Sequence, residues 1–184
     1  HSRGKTLTAG RLDSFRGASG AMIDPRTKQR ITRVSRQMKA RRNDVYKALV
    51  DQDMVASWLA PGTMRCVVHE FEPHDGGRFR MSLIYKDPAE GPGGKTTEDT
   101  DTFHRRFVRL VPYERVVQLV EFESEQPGMS GKMKVTWDLA DAEGGANVTV
   151  VCEDIPQGIR LEDNEAGSAS SLQKLARLVE RSAL

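Results

Sequence analysis

Cysteine is nearly absent. The 184 residues contain Cys66 and Cys152 and no others. Neither belongs to a CxxC or Cys/His ligand pattern, which excludes a zinc ribbon and a disulfide-rich scaffold. Both stand in apolar, strand-like runs and read as buried thiols of a reducing cytosol, although a single bridge between them stays open on sequence alone. Aromatics make up only 6% of the chain. No apolar run reaches the eighteen residues that would suggest a membrane span, and no secretory apolar core is present. G-x-S-x-G, the P-loop and the dinucleotide-binding fingerprint are all missing, so hydrolase, nucleotide and nicotinamide chemistry have no support from motif. The four histidines (His1, His69, His74 and His104) contain no i, i+4 pair of the zinc-binding kind. No cofactor and no metal is expected.

Charge is plentiful but uneven. Residues 1–44 hold 12 Lys+Arg against 3 Asp+Glu, and the remainder holds 16 against 23. A basic leader thus precedes an acidic domain. The leader's charges are scattered and not interleaved with stacking aromatics, which argues against nucleic acid as a partner. Residues 1–29 read as a basic flexible leader and 30–184 as the folded domain. Met22 opens MIDPRTKQRITRV like a natural start, so some or all of residues 1–21 is expected to be an expression scar or an over-long start. An acid-poor, Arg-bearing leader also fits a transit peptide, but no apolar face supports that.

The domain alternates between two periods. ITRVSRQM (31–38) reads as a first strand, with Val34 and Met38 in step and Ile31 out of step. RNDVYKALV (42–50) carries a helical stripe. A second short helix follows, capped by Asp51 or Asp53, burying Met54, Val55, Trp58 and Leu59, and ended by Pro61-Gly62. The period then switches to two, predicting strands over 64–72, 78–85, 101–111, 116–123, 132–139 and 147–155. In the first of these, Val67, His69 and Phe71 fall on one face. Residues 87–100 form a polar Gly/Pro-rich loop. A long helix closes the chain, with Leu172, Leu175, Ala176 and Val179 at i, i+3, i+4 and i+7. Its first half is small: Ala166, Gly167, Ser168, Ala169, Ser170, Ser171. Strands joined by tight turns make an antiparallel meander, and the order predicts an α+β fold with its helices on one face.

Several phrases resemble the START-like (SRPBCC, helix-grip) superfamily, and within it the family of homologues of the activator of heat-shock protein 90 ATPase. They are Val45-Tyr46-Lys47-Ala48-Leu49, Trp58-Leu59-x-Pro61, Gly76-Gly77-x-Phe79-Arg80, Arg106-Phe107-Val108-x-Leu110-Val111-Pro112-x-Glu114-Arg115 and Asp163-Asn164-Glu165-Ala166-Gly167. The likeness covers the domain from about Ile31 to Leu184. It departs at Arg41, where relatives often carry Pro, at Arg160, where a capping Ser or Asp is common, and at Ser168, where they often carry Trp. The resemblance implies a helix-grip fold: a curved antiparallel sheet wrapped around the long C-terminal helix, with two short helices after the first strand.

It also implies a hydrophobic cavity between sheet and last helix, and losing a large ring at position 168 favours an open one. Two readings of the small-residue half-helix stand: it borders that cavity, or it lets the helix approach a strand closely. The expected ligand-binding set is Trp58, His69, Phe71, Phe79, Met81, Tyr85, Phe103, Trp137, Ser168 and Leu172, with His69 the cavity's most useful polar group. Arg80, Arg105, Arg106 and Arg109 are expected on the solvated outer face, paired with Glu70 or Glu121; the functional variant has one Arg reaching inward to hold a carboxylate. Glu121 is a weak general-base candidate, since Val116, Val120 and Phe122 compete for the interior.

The leading expectation is a cytoplasmic protein that binds a small apolar or amphipathic molecule. The alternatives are a co-chaperone that stimulates a chaperone ATPase through a surface contact, and a cyclase- or aromatase-like enzyme with His69 and Tyr85 as its only reasonable acid–base pair. The sequence weighs against an enzyme. An exposed strand would allow a homodimer.

Overall fold

A computed structural model describes residues 19–24, 29–60, 63–87, 100–122 and 128–182. Eight strands form one antiparallel sheet: β1 (Ser19–Asp24), β2 (Gln29–Met38), β3 (Met64–Phe71), β4 (Arg78–Tyr85), β5 (Thr100–Val111), β6 (Arg115–Phe122), β7 (Gly131–Ala142) and β8 (Gly145–Glu153). Their order across the sheet is β1-β2-β8-β7-β6-β5-β4-β3. Strands β3 to β8 form the expected meander, and β2 closes onto β8. The helices α1 (Arg42–Val50) and α2 (Gln52–Leu59) follow β2, and α3 (Leu161–Ser182) ends the chain.

One strand was not foreseen. Ser19–Asp24, inside the expected leader, pairs with β2 from Ser19↔Val34 to Asp24↔Gln29. Residues 1–18 and 25–28 of that leader, Pro61-Gly62, and most of the polar loop at 87–100 lie outside the described residues.

The local causes are legible. Asp51 caps α2 by accepting from the Met54 backbone N–H at 3.0 Å, one of the two caps expected. A two-residue turn, Glu143-Gly144, joins β7 to β8, with Gly144 at φ 77°. At the adjacent Gly145 a Cβ would sit 1.9 Å from the Met38 carbonyl oxygen, so only glycine lets β8 start this close to the end of β2. Tyr113 takes φ 65° in the β5–β6 turn. Its ring meets Tyr46 of α1 edge-on at 5.4 Å between centroids, which helps hold an uncommon backbone conformation.

The core lies between the sheet's inner face and the helices. Leu172, Leu175, Ala176 and Val179 are each at most 1% exposed, so the predicted helical stripe is the buried stripe. The small half of α3 does something else. Ala166, Gly167, Ala169 and Ser170 face solvent, and a Cβ on Gly167 would meet nothing. The close-approach reading therefore fails at Gly167 and Ala169, and these exposed residues are not among those that line the space between α2 and the sheet. Ser168 alone turns inward, where its Oγ lies 3.8 Å from the Cys152 Sγ. Both cysteines are free thiols.

Leu175 is fully buried. Truncation to Ala is expected to cost about 3 kcal/mol, through lost transfer energy and a residual void. Urea unfolding of Leu175→Ala, with an unchanged m-value, checks this.

Candidate functional site

The sheet's pleat decides which side chains reach the interior, and two bulges reset it. The first falls in β3. Val68 pairs with Met81, but the next paired residue, Glu70, faces Arg80, and Phe71 faces Phe79. His69 is the extra residue. Before the bulge Val68 points inward; after it, Phe71 does. Val67 and His69 are left on the outer face, so the expected alignment of Val67, His69 and Phe71 is corrected. His69 is exposed, and its Nε2 shares a 2.7 Å hydrogen bond with Ser82 Oγ. It cannot serve as the cavity's polar group.

A different polar group occupies the interior. Arg105 of β5 pairs with Phe79 on one side and Val120 on the other, both inward and 3% exposed. Arg105 therefore points inward, unlike the exposed Arg106 and Arg109 and unlike Arg80, which reaches Glu70 at 3.6 Å on the outer face. Glu121 is exposed and pairs with Lys132 at 3.2 Å, which removes it as an interior base. The Arg105 guanidinium donates through Nη1 to Gln118 Oε1 at 3.1 Å, and its Cζ lies 5.9 Å from the Phe79 ring centroid. Burial pulls its pKa below that of ordinary arginine.

Arg105, Gln118 and Trp137 form a diagonal stripe. Gln118 lies two positions along β6 from Arg105's partner Val120, and Trp137 lies two positions along β7 from Gln118's partner Val135. Above the stripe sits α2. The Trp58 indole meets Trp137 edge-on at 5.9 Å and donates its own N–H to the Ala48 carbonyl at 2.9 Å. Between them is a small cavity, lined by Arg105, Gln118 and Trp137 below and by Leu49, Val55, Trp58 and Leu59 above, with Phe79 at the side. It is narrow and admits about one water molecule. Two of the residues that line it each keep a sealed donor without an acceptor among the described residues, Arg105 Nε and Trp137 Nε1. Buried polar groups are nearly always paired, so each orphan is unusual.

The expected set divides. Trp58, Phe79 and Trp137 line the cavity. Phe71 packs beside it, its ring 5.1 Å from Phe79 and 5.5 Å from Phe107. Met81 and Leu172 are core residues, at 0% and 1% exposure. Ser168 is held against Cys152 rather than opening a pocket. Tyr85 is half-buried opposite Met64, at the far end of β4. Phe103 stands opposite Met81 in register, and its side chain lies outside the described residues. The His69–Tyr85 acid–base pair does not form, because Tyr85 has the inward parity of Phe79 and Met81 while His69 lies on the opposite face. Among the described residues no group of three His, Cys, Asp or Glu side chains can hold a metal ion, and no helix is long and apolar enough to cross a membrane.

His69→Ala is expected to cost about 1 kcal/mol, the worth of one hydrogen bond, and to leave tryptophan emission unchanged. Thermal unfolding and a fluorescence spectrum check both; an emission shift would place His69 near the cavity after all.

The family described as Activator of Hsp90 ATPase homolog 1-like protein matches residues 39–180. Among solved structures, protein CV1439 from Chromobacterium violaceum is similar at 31% identity and TM-score 0.68, covering 82% of this chain and 96% of its own. The AHSA1-like protein from Aeromonas hydrophila is similar in fold at 18% identity and TM-score 0.65, with 83% and 93% covered. DynU16, a putative protein in the dynemicin biosynthetic locus, shares the fold at 21% identity and TM-score 0.57, with 82% of this chain but 47% of that one covered. No curated protein sequence matches.

Proposed function

The chain belongs to the Activator of Hsp90 ATPase homolog 1-like family, and from that premise we propose that it is a small-molecule-binding domain whose site is the cavity between α2 and the Arg105–Gln118–Trp137 stripe. One observation carries the reading: two residues that line this cavity, Arg105 and Trp137, each keep a buried donor, Nε and Nε1, with no acceptor among the described residues. An unpaired buried donor costs about 1–3 kcal/mol, so a molecule that supplies acceptors there recovers that cost on binding. Packed interiors seldom keep such groups except where function uses them.

The site is smaller and more polar than the apolar pocket the fold class leads one to expect. Binding pockets for drug-sized molecules span roughly 300–1,000 Å³, whereas this space admits about one water molecule. Trp58 and Met81 fill much of the hollow between sheet and helices. A ligand therefore enters only as α2 lifts from the sheet. A co-chaperone role, which calls for a filled interior and an exposed charged patch, draws on the narrowness of this cavity and on the groove of Lys174, Arg177 and Arg181 between α2 and α3; a cyclase-like reaction lacks its acid–base pair.

Val55 is 3% exposed and lines the cavity from α2. Native mass spectrometry of the protein taken from its source cell is expected to show a small non-covalent adduct, and Val55→Phe, which fills the cavity, is expected to lose it. Overpacking of this kind costs about 1–3 kcal/mol, so circular dichroism should confirm that the variant folds. An adduct retained by Val55→Phe, or a bound chaperone in place of any small mass, would overturn the reading.

A further inference from the structure

We infer that the groove between α2 and α3 is a docking surface for a short acidic segment of a partner protein, whose carboxylates pair with Lys174, Arg177 and Arg181. The inference does not rest on the cavity reading: of the residues that line the cavity, the groove shares Trp58 alone.

Charge is sorted here by sign. Acids outnumber bases by 23 to 16 in residues 45–184. The groove nonetheless brings three cations together and is lined by no acidic side chain, with Trp58 and Leu178 among its apolar walls. None of the three cations has an ion-pair partner among the described residues. The one acid in the second half of α3, Glu180, is engaged elsewhere and accepts from the Lys39 backbone N–H at 3.1 Å.

A merely solvated helix face would mix its signs. Lys174, Arg177 and Arg181 stand at i, i+3 and i+7 on one face of α3. Arg177 and Arg181 form an i, i+4 pair of like charge, which weakens a helix rather than supporting it. The negative end of the helix dipole favours Arg181 in the last turn, but it fades before reaching Arg177 and Lys174. Lys174 is fixed at the groove wall by donating to the Leu59 carbonyl at 2.8 Å. Its pKa is lowered first by burial and then by the charge on Arg105, so the field of that buried guanidinium reaches the groove and adds to its sign. A groove of one sign beside low-dielectric walls concentrates groups of the other sign.

Shape and spacing select the partner. The groove is open and offers about 600 Å³, against about one water molecule under α2. The helix rises about 10 Å from Lys174 to Arg181 and about 6 Å from Arg177 to Arg181. An extended chain places alternate side chains about 7 Å apart on one side. Two acids separated by one residue therefore fall opposite Arg177 and Arg181, and a third reaches Lys174. Single-stranded nucleic acid would need an aromatic face to stack on. The one ring in the groove, Trp58, is 5% exposed and tethered to the Ala48 carbonyl. A lipid surface would need apolar side chains projecting beside the cations. The exposed large apolar residues among those described, Val108 and Tyr113, belong to β5 and the turn after it and do not line the groove.

The test is fluorescence anisotropy of labelled peptides titrated with the full chain. The probe alternates Glu with Thr, and its control carries Gln in place of every Glu. At low salt the Glu peptide is expected to bind at least about tenfold more tightly than the Gln peptide. Its binding is expected to weaken with salt, as the screening length falls from about 30 Å at 0.01 M to about 8 Å at 0.15 M. Arg177→Glu combined with Arg181→Glu, both at exposed positions, is expected to erase the preference while leaving the circular dichroism spectrum unchanged. Should that reversal not fold, Arg177→Gln with Arg181→Gln removes the same charges more gently and carries the test. Arg33→Glu combined with Arg36→Glu makes an equal change of net charge at exposed positions of β2 and is expected to keep the preference. Equal binding of the two peptides would overturn the assignment. So would equal loss in the α3 and β2 variants, which would reduce the effect to attraction by net charge. Phosphatidylserine vesicles or an oligonucleotide that bind through Arg177 and Arg181 where the Glu peptide does not would give the groove to another class of partner and overturn it as well.

Discussion

The pleat of the sheet, with its period of two and its bulges, is the constraint on which the interior depends. Adjacent positions on a strand point to opposite faces, so one extra residue exchanges the faces for everything beyond it. In β3 that extra residue is His69, and its insertion turns Phe71 into the core and leaves the imidazole outside. In β5 the stretch through Arg105 and Phe107 lies ahead of the second irregularity, between Phe107 and Arg109, and keeps one parity. A guanidinium is thereby committed to the same face as the fully buried Phe107. No local preference of arginine would place it there. It is imposed by register with Phe79 and Val120.

A charge placed by register must be accommodated by its surroundings. Gln118 takes one N–H, and the face of Phe79 offers the partial negative charge of its ring. Neither is a full counter-ion. The interior thus combines a well-packed apolar layer of Met81, Phe107, Leu172 and Leu175 with one polar corner under α2. That corner is where the fold departs most from what efficient packing alone would select. Such departures are expected to gather where a protein acts on something other than itself.

Much of the fold was legible because it rests on periodicity. The helical stripe of Leu172, Leu175, Ala176 and Val179, the cap at Asp51 and the meander from β3 to β8 all follow from spacing and turn chemistry. The site was legible only in part. Trp58, Phe79 and Trp137 announced themselves as large apolar residues in phase with their elements. His69 misled because a β-bulge has no reliable signature in VVHEF; strict alternation assigned it to the face of Phe71. Arg105 was expected outside by default, with an inward arginine only as the variant reading, for the opposite reason. In TFHRRFVRL the alternation of Phe103, Arg105 and Phe107 was visible, but the usual preference of arginine for solvent outweighed it. Gln118 lay hidden in VVQLV by the same bias. The small residues at the start of α3 suggested a cavity or a close approach; open solvent at Gly167 leaves no close approach there.

The bond from the Trp58 indole to the Ala48 carbonyl has a mechanical consequence. It staples α2 back onto α1 across the Asp51 junction, and α1 is itself braced against the β5–β6 turn by the Tyr46–Tyr113 ring contact. The far end of α2 is tied in turn to α3, where Lys174 donates to the Leu59 carbonyl at 2.8 Å. The three helices are thereby laced together, so the space beneath α2 widens only if all three shift as one.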